Sequence, residues 1–74
     1  MDKNLLELLL PLVNDPHNME GLVAYANYRI AQAHKDLENS NLPIEQVRFL
    51  QGEIYEMRKL IDLRDKINGE AKRL

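Results

Sequence analysis

Cysteine, tryptophan and threonine are absent from this 74-residue chain, and serine occurs once, at Ser40. Without cysteine there is no disulfide, no thiolate metal ligand and no thiol nucleophile, an absence compatible with a reducing compartment. Ser40 stands in Asn39-Ser40-Asn41-Leu42-Pro43 with no histidine beside it, and reads as a turn or cap hydroxyl. The three glycines are scattered and form no phosphate-cradling loop. No apolar run approaches the roughly 18 residues that a membrane-spanning helix needs. The opening MDKNLLELLLPLV sets Asp2 and Glu7 beside a single Lys3 and lacks a small-residue cleavage site, so a secretory signal is not expected.

Charge of one sign is also scarce. Ten basic residues against twelve acidic ones leave a net charge of −2. Residues 41–74 hold seven basic and six acidic side chains, a mild gradient. Nucleic-acid binding draws on a concentrated positive face. A hairpin reading nucleic acid through Arg58, Lys59, Arg64, Lys66, Lys72 and Arg73 is therefore disfavoured as the main role. Chemistry is equally sparse. His34 and Glu38 share a helix face at a spacing of four, but two groups do not complete a zinc site. The carboxylates fall on wet faces, whereas general-acid work needs a carboxyl group in a cleft. No enzyme, cofactor or metal is expected.

What the chain does have is helical pattern. Hydrophobic residues make up 45 % of it and charged residues 30 %, a balance of folded chains and not of disordered ones. Val47, Leu50, Ile54, Met57 and Ile61 recur at steps of three and four, one stripe on a helix running over about 43–68. Leu60, Leu63, Ile67, Ala71 and Leu74 continue an adjacent stripe, and Gly69 reads either as a C-cap or as part of a longer helix. Asp15-Pro16 is a helix start, an N-cap followed by proline at the first position. From there Met19, Val23, Ala26, Ile30, Ala33 and Leu37 keep the same alternation to about 39. Ala26 and Ala33, with Gly52 opposite, would let two helices approach closely.

The link at 39–43 is short, which forces the two helices antiparallel. Each would be on the order of 35 Å long at 1.5 Å per residue. With the hairpin closed near residues 40–42, Tyr28 comes level with Ile54 and Tyr55. Ahead of the hairpin, Asn4 and Glu7 suggest a capping box for a short helix over about 4–10, which Pro11 should end or kink. Its leucines are too many for one face. They fit either a third core helix or a docking segment for a partner groove or a membrane surface.

The expected architecture is thus all-α: one domain over 1–74, with a Leu-rich segment at 1–14 and a helical hairpin with its tail at 15–74. A core this small usually needs a staple, and with none in the sequence an oligomeric bundle is the expected remedy. Tyr25, Tyr28 and Phe49 lie off the main stripe, and with Leu5 and Leu9 they are the candidate contacts to another chain. Packing at the edge of the domain's own core is the other reading for the aromatics.

Two segments, GLVAYANYRIAQAHKDLEN (Gly21 to Asn39) and LQGEIYEMRKLIDLRDKIN (Leu50 to Asn68), resemble short helical-hairpin proteins encoded among bacteriophage virion genes. Leu50-Gln51-Gly52 and Leu63-Arg64-Asp65 carry the likeness, after a first helix containing tyrosine and alanine. The resemblance implies a virion or assembly component without catalytic residues, located in the cytoplasm or in the particle. The alternative expectation is a small regulator that inhibits a host or phage enzyme through its Leu-rich segment.

Overall fold

The computed structural model describes residues 1–73, and its regular structure there is entirely helical. Four helices follow one another: α1 (Lys3–Val13), α2 (Pro16–Leu37), α3 (Ile44–Ile61) and α4 (Leu63–Ala71). The antiparallel hairpin is α2 against α3. At its open end α1 folds back onto both α2 and α4.

Helix α1 departs from expectation at both ends. Asp2, not Asn4, is its cap: the Asp2 carboxylate accepts the Asn4 N–H at 3.0 Å from an extended backbone, so the helix starts at Lys3. It does not stop at Leu10 but carries Pro11 inside it and ends at Val13. The missing proline N–H leaves the carbonyl of Glu7 without its helical partner, and Glu7 lies on the exposed side. In return the added turn seats Val13 in the core at 1 % exposure. Burying that side chain is worth about 1.5–3 kcal/mol, of the order of the ~3 kcal/mol that an interior proline costs.

Helix α2 begins where the sequence indicates. Asp15 accepts the N–H groups of His17 and Asn18 at 2.9 and 3.3 Å, and Pro16 occupies the first position. The helix ends at Leu37, two residues short of the expected end. The Asn39 side chain then takes the Asn41 N–H at 3.0 Å, closing the turn. Pro43 sits just outside α3 with extended backbone, φ −60° and ψ 150°.

The long helix expected over 43–68 is two helices. Asp62 takes φ −89° and ψ 3° and separates α3 from α4. The hydrogen-bond ladder nearly survives the break, since Asp62 N–H reaches the Arg58 carbonyl at 3.2 Å and Lys66 N–H reaches that of Asp62 at 3.1 Å. The chain therefore bends at little cost, and the bend aims Leu63 and Ile67 at α1. Gly69 is not a cap. It lies inside α4, which runs on to Ala71, and no glycine has positive φ. Leu74 lies outside the described residues. A Cβ on Gly69 would meet nothing within 4 Å. Gly69→Ala should accordingly raise stability by about 0.5–1 kcal/mol. A lower chemical-denaturation midpoint for this variant would mean that the position needs glycine after all.

The hydrophobic interior comes in two parcels. Near the turn, Ala33, Leu50 and Ile54 are buried, with Ile30, Leu37 and Leu42 packed around them. At the open end Leu6, Val13, Met19 and Ile67 form a second cluster, flanked by Leu9, Leu10, Leu22, Val23 and Leu63. The seam from the sequence is thus half right in its pairing. Ile30 and Leu37 face Leu50 and Ile54, whereas Met19 and Val23 belong with α1 and α4. The two amides of Asn14 and Asn68 close the second parcel by donating to each other, at 2.9 and 3.0 Å.

The molecule measures 48 × 24 × 15 Å, with a radius of gyration of 15.4 Å. A compact chain of this length would have a radius of gyration of about 11 Å. The fold is thus an elongated slab, far from spherical.

Candidate functional site

Each helix of the slab keeps an exposed side. Two such sides carry large apolar groups. On α1, Leu5, Leu8 and Leu12 project outward at helical spacing, with Leu8 74 % exposed. On the hairpin, Tyr25 and Tyr28 of α2 and Phe49 and Tyr55 of α3 are all at least half exposed, Phe49 most of all at 69 %.

Of the five residues proposed from sequence as contacts to another chain, Leu5, Tyr25, Tyr28 and Phe49 are exposed. Leu9 is half-buried and packs against the chain's own core. The five do not form one patch, since Leu5 and Leu9 belong to α1 at the open end of the slab. The Leu-rich segment is first of all a core helix: Leu6 and Val13 are 1 % exposed, and only its outer leucines face away.

Helix α3 organises the hairpin side. Its inward stripe is held by Leu50 and Ile54. At 100° per residue, the position two before Ile54 and two after Leu50 points away from that stripe. That position is Gly52. A Cβ there would meet nothing within 4 Å, so Gly52 does not serve close approach to Ala26 or Ala33, contrary to the sequence expectation. It forms instead the floor of a shallow, open depression walled by Phe49, Tyr55, Glu56, Arg48 and the Arg29–Glu53 pair.

Sequence reasoning overlooked Glu53. The Arg29 guanidinium forms an ion pair with the Glu53 carboxylate across the two helices. It also donates to the Tyr25 hydroxyl at 2.9 Å and lies 5.9 Å from that ring's centre. The hairpin register was sufficient to find this pair, because Arg29 comes level with Glu53 just as Tyr28 does with Ile54. Arg29 and Tyr25 are thus held in place from within the chain. Further along α3, Lys59 approaches the Tyr55 ring to 4.5 Å and Glu56 to 3.4 Å. Among the described residues Glu56–Lys59 closes as an ion pair at a spacing of three, whereas Glu45–Arg48 on the same helix and Asp62–Lys66 beyond it do not.

His17, His34, Glu38 and Ser40 are all exposed. Among the described residues no three His, Asp or Glu side chains converge as metal ligands would. A second shallow depression, beside Met19, Val23, Ile61 and Arg64, lies over the bend between α3 and α4. Among the described residues no helix is long and apolar enough to cross a membrane. Comparison with protein-family models, with curated proteins and with solved structures finds no match to this chain.

Proposed function

We propose that this chain is a non-enzymatic assembly module that works by packing its uncovered helix faces against other protein. The observation that carries this reading is the exposure of large apolar side chains on both the α1 side and the hairpin side. Chains this short rarely gain more than about 3–5 kcal/mol from their own core, and further burial of Leu8, Phe49 and the tyrosines would add to it. The likeness of residues 21–39 and 50–68 to phage virion hairpins supports a role in a particle or in head assembly.

One observation favours a second reading. Leu5, Leu8 and Leu12 present a helix-in-groove pattern on the outside of α1, as a small regulator of an enzyme would. Stoichiometry separates the two. Sedimentation across micromolar to millimolar concentrations is expected to show reversible self-association. A strict monomer throughout that range would overturn the assembly reading and favour the regulator.

A further inference from the structure

Both uncovered faces invite a partner, but they differ in what they say about it. The α1 face is uniformly aliphatic, and nothing on it selects an occupant. The outer face of α3 is patterned. Glu45, Arg48, Gly52, Glu56 and Lys59 are all exposed and follow one another at steps of three and four along the side opposite Leu50 and Ile54. Phe49 and Tyr55 flank the stripe, one on either edge.

We propose that this face is an interface between two copies of the chain, in which α3 packs antiparallel on α3 of its twin about a two-fold axis at Gly52. The inference rests on the assembly reading above and names its partner and surface. In such an arrangement the residue n places before Gly52 comes level with the residue n places after it in the other copy. Arg48 then reaches Glu56 across the seam and Glu45 reaches Lys59, while Phe49 comes level with the twin's Tyr55 on the opposite edge, so that the aromatic rings line both borders of the contact. Each pairing occurs twice by symmetry, and every charge on the stripe meets its opposite. The stripe is neutral overall, so two copies bring no net repulsion together.

These are not pairings the chain can make alone. Arg48 and Glu56 are eight residues apart on one helix, about 12 Å along the axis, and Glu45 and Lys59 are about 21 Å apart. Gly52 has a matching role. A mid-helix glycine is disfavoured, and nothing inside this chain requires one there, since a Cβ would meet no atom within 4 Å. At the crossing point of two helices the missing side chain lets the backbones close up. It also leaves the depression into which the partner's Phe49 and Tyr55 edges can settle.

Charge exchange tests both the surface and the register. Arg48→Glu and Glu56→Arg should each weaken dimerisation by about tenfold or more, because like charges then face each other at two places. The double variant Arg48→Glu/Glu56→Arg should regain it. So should an equimolar mixture of the two single variants, because the mixed dimer sets a carboxylate against a guanidinium at both contacts. Both sites are exposed, and circular dichroism checks that the fold is kept. As an independent measure, Gly52→Cys, in a chain with no other cysteine, should cross-link to a disulfide dimer on oxidation. Gly21→Cys, on α2, should not. A wild-type protein that associates while the double variant stays dissociated, or that cross-links equally from both positions, overturns this face and leaves the assembly reading standing. A wild-type protein that remains monomeric overturns both.

Discussion

Ile54→Asp should abolish cooperative folding. Ile54 is 6 % exposed, packed with Ala33 and Leu50 in the parcel near the turn. No cationic side chain belongs to that parcel, so an aspartate there would be an unpaired buried charge. The penalty for such a group reaches several kcal/mol even after it takes up a proton. A domain of this size has about 3–5 kcal/mol in total, and the substitution also removes the apolar contacts of isoleucine. Circular dichroism should show collapsed helicity and no thermal transition. A variant that kept wild-type helicity and melting temperature would mean that α2 and α3 are not held together by this parcel.

Ile67→Ala should have the second largest effect, but one confined to the other end of the slab. Ile67 has no exposed surface and sits among Leu6, Val13 and Met19. Truncating a buried isoleucine costs about 2–5 kcal/mol, depending on how far the site collapses. The loss falls on the docking of α1 and α4. The Asn14–Asn68 amide pair and the approach of the Met1 amino group to Glu70 at 3.7 Å are the polar links left between these ends. Hydrogen exchange should therefore show amides of α1 and α4 opening in the variant while those around Leu50 and Ile54 stay protected. Uniform loss of protection along the chain would mean that the two parcels form a single cooperative unit.

The contrast between the two variants follows from the connectivity. Helices α1 and α4 dock on a platform that includes Met19 and Val23 of α2, so losing the hairpin removes the platform as well. The reverse does not hold, because the turn, the Arg29–Glu53 pair and the Leu50–Ile54 parcel lie away from α1. A dimer formed through the α3 face would sharpen this asymmetry, since it adds burial to the hairpin and none to α1.

Much of the architecture was legible as pattern. Asp15-Pro16 announced the start of α2, and the Asn-Ser-Asn-Leu-Pro link announced an antiparallel return. The spacing of Leu50 and Ile54 marked the inner side of α3. The same spacing marked the outer side, and Gly52 could have been assigned to it by angle alone. Its composition suggested a helix contact, and the contact was placed within the chain when the geometry points it outward.

Three features had no comparable signal. The bend at Asp62 uses φ and ψ that any residue can adopt, and the apolar period runs through it undisturbed from Ile61 to Ala71. Pro11 carries a local penalty that argues for ending α1, and the turn beyond it exists because Val13 gains burial against helices remote in sequence. The reciprocal amides of Asn14 and Asn68 join residues 54 positions apart, and neither residue type announces its partner.

Local chemistry was thus enough to settle where α2 lies, where α3 begins and which side of α3 is oily, because caps, prolines and periodicity act within a few residues of each other. Where the second oily stretch turns, what α1 covers and how elongated the finished molecule is were decided by long-range burial. Those contacts contribute kcal/mol amounts large enough to overrule a proline and bend a helix. The uncovered faces that support the functional reading are a product of that second step.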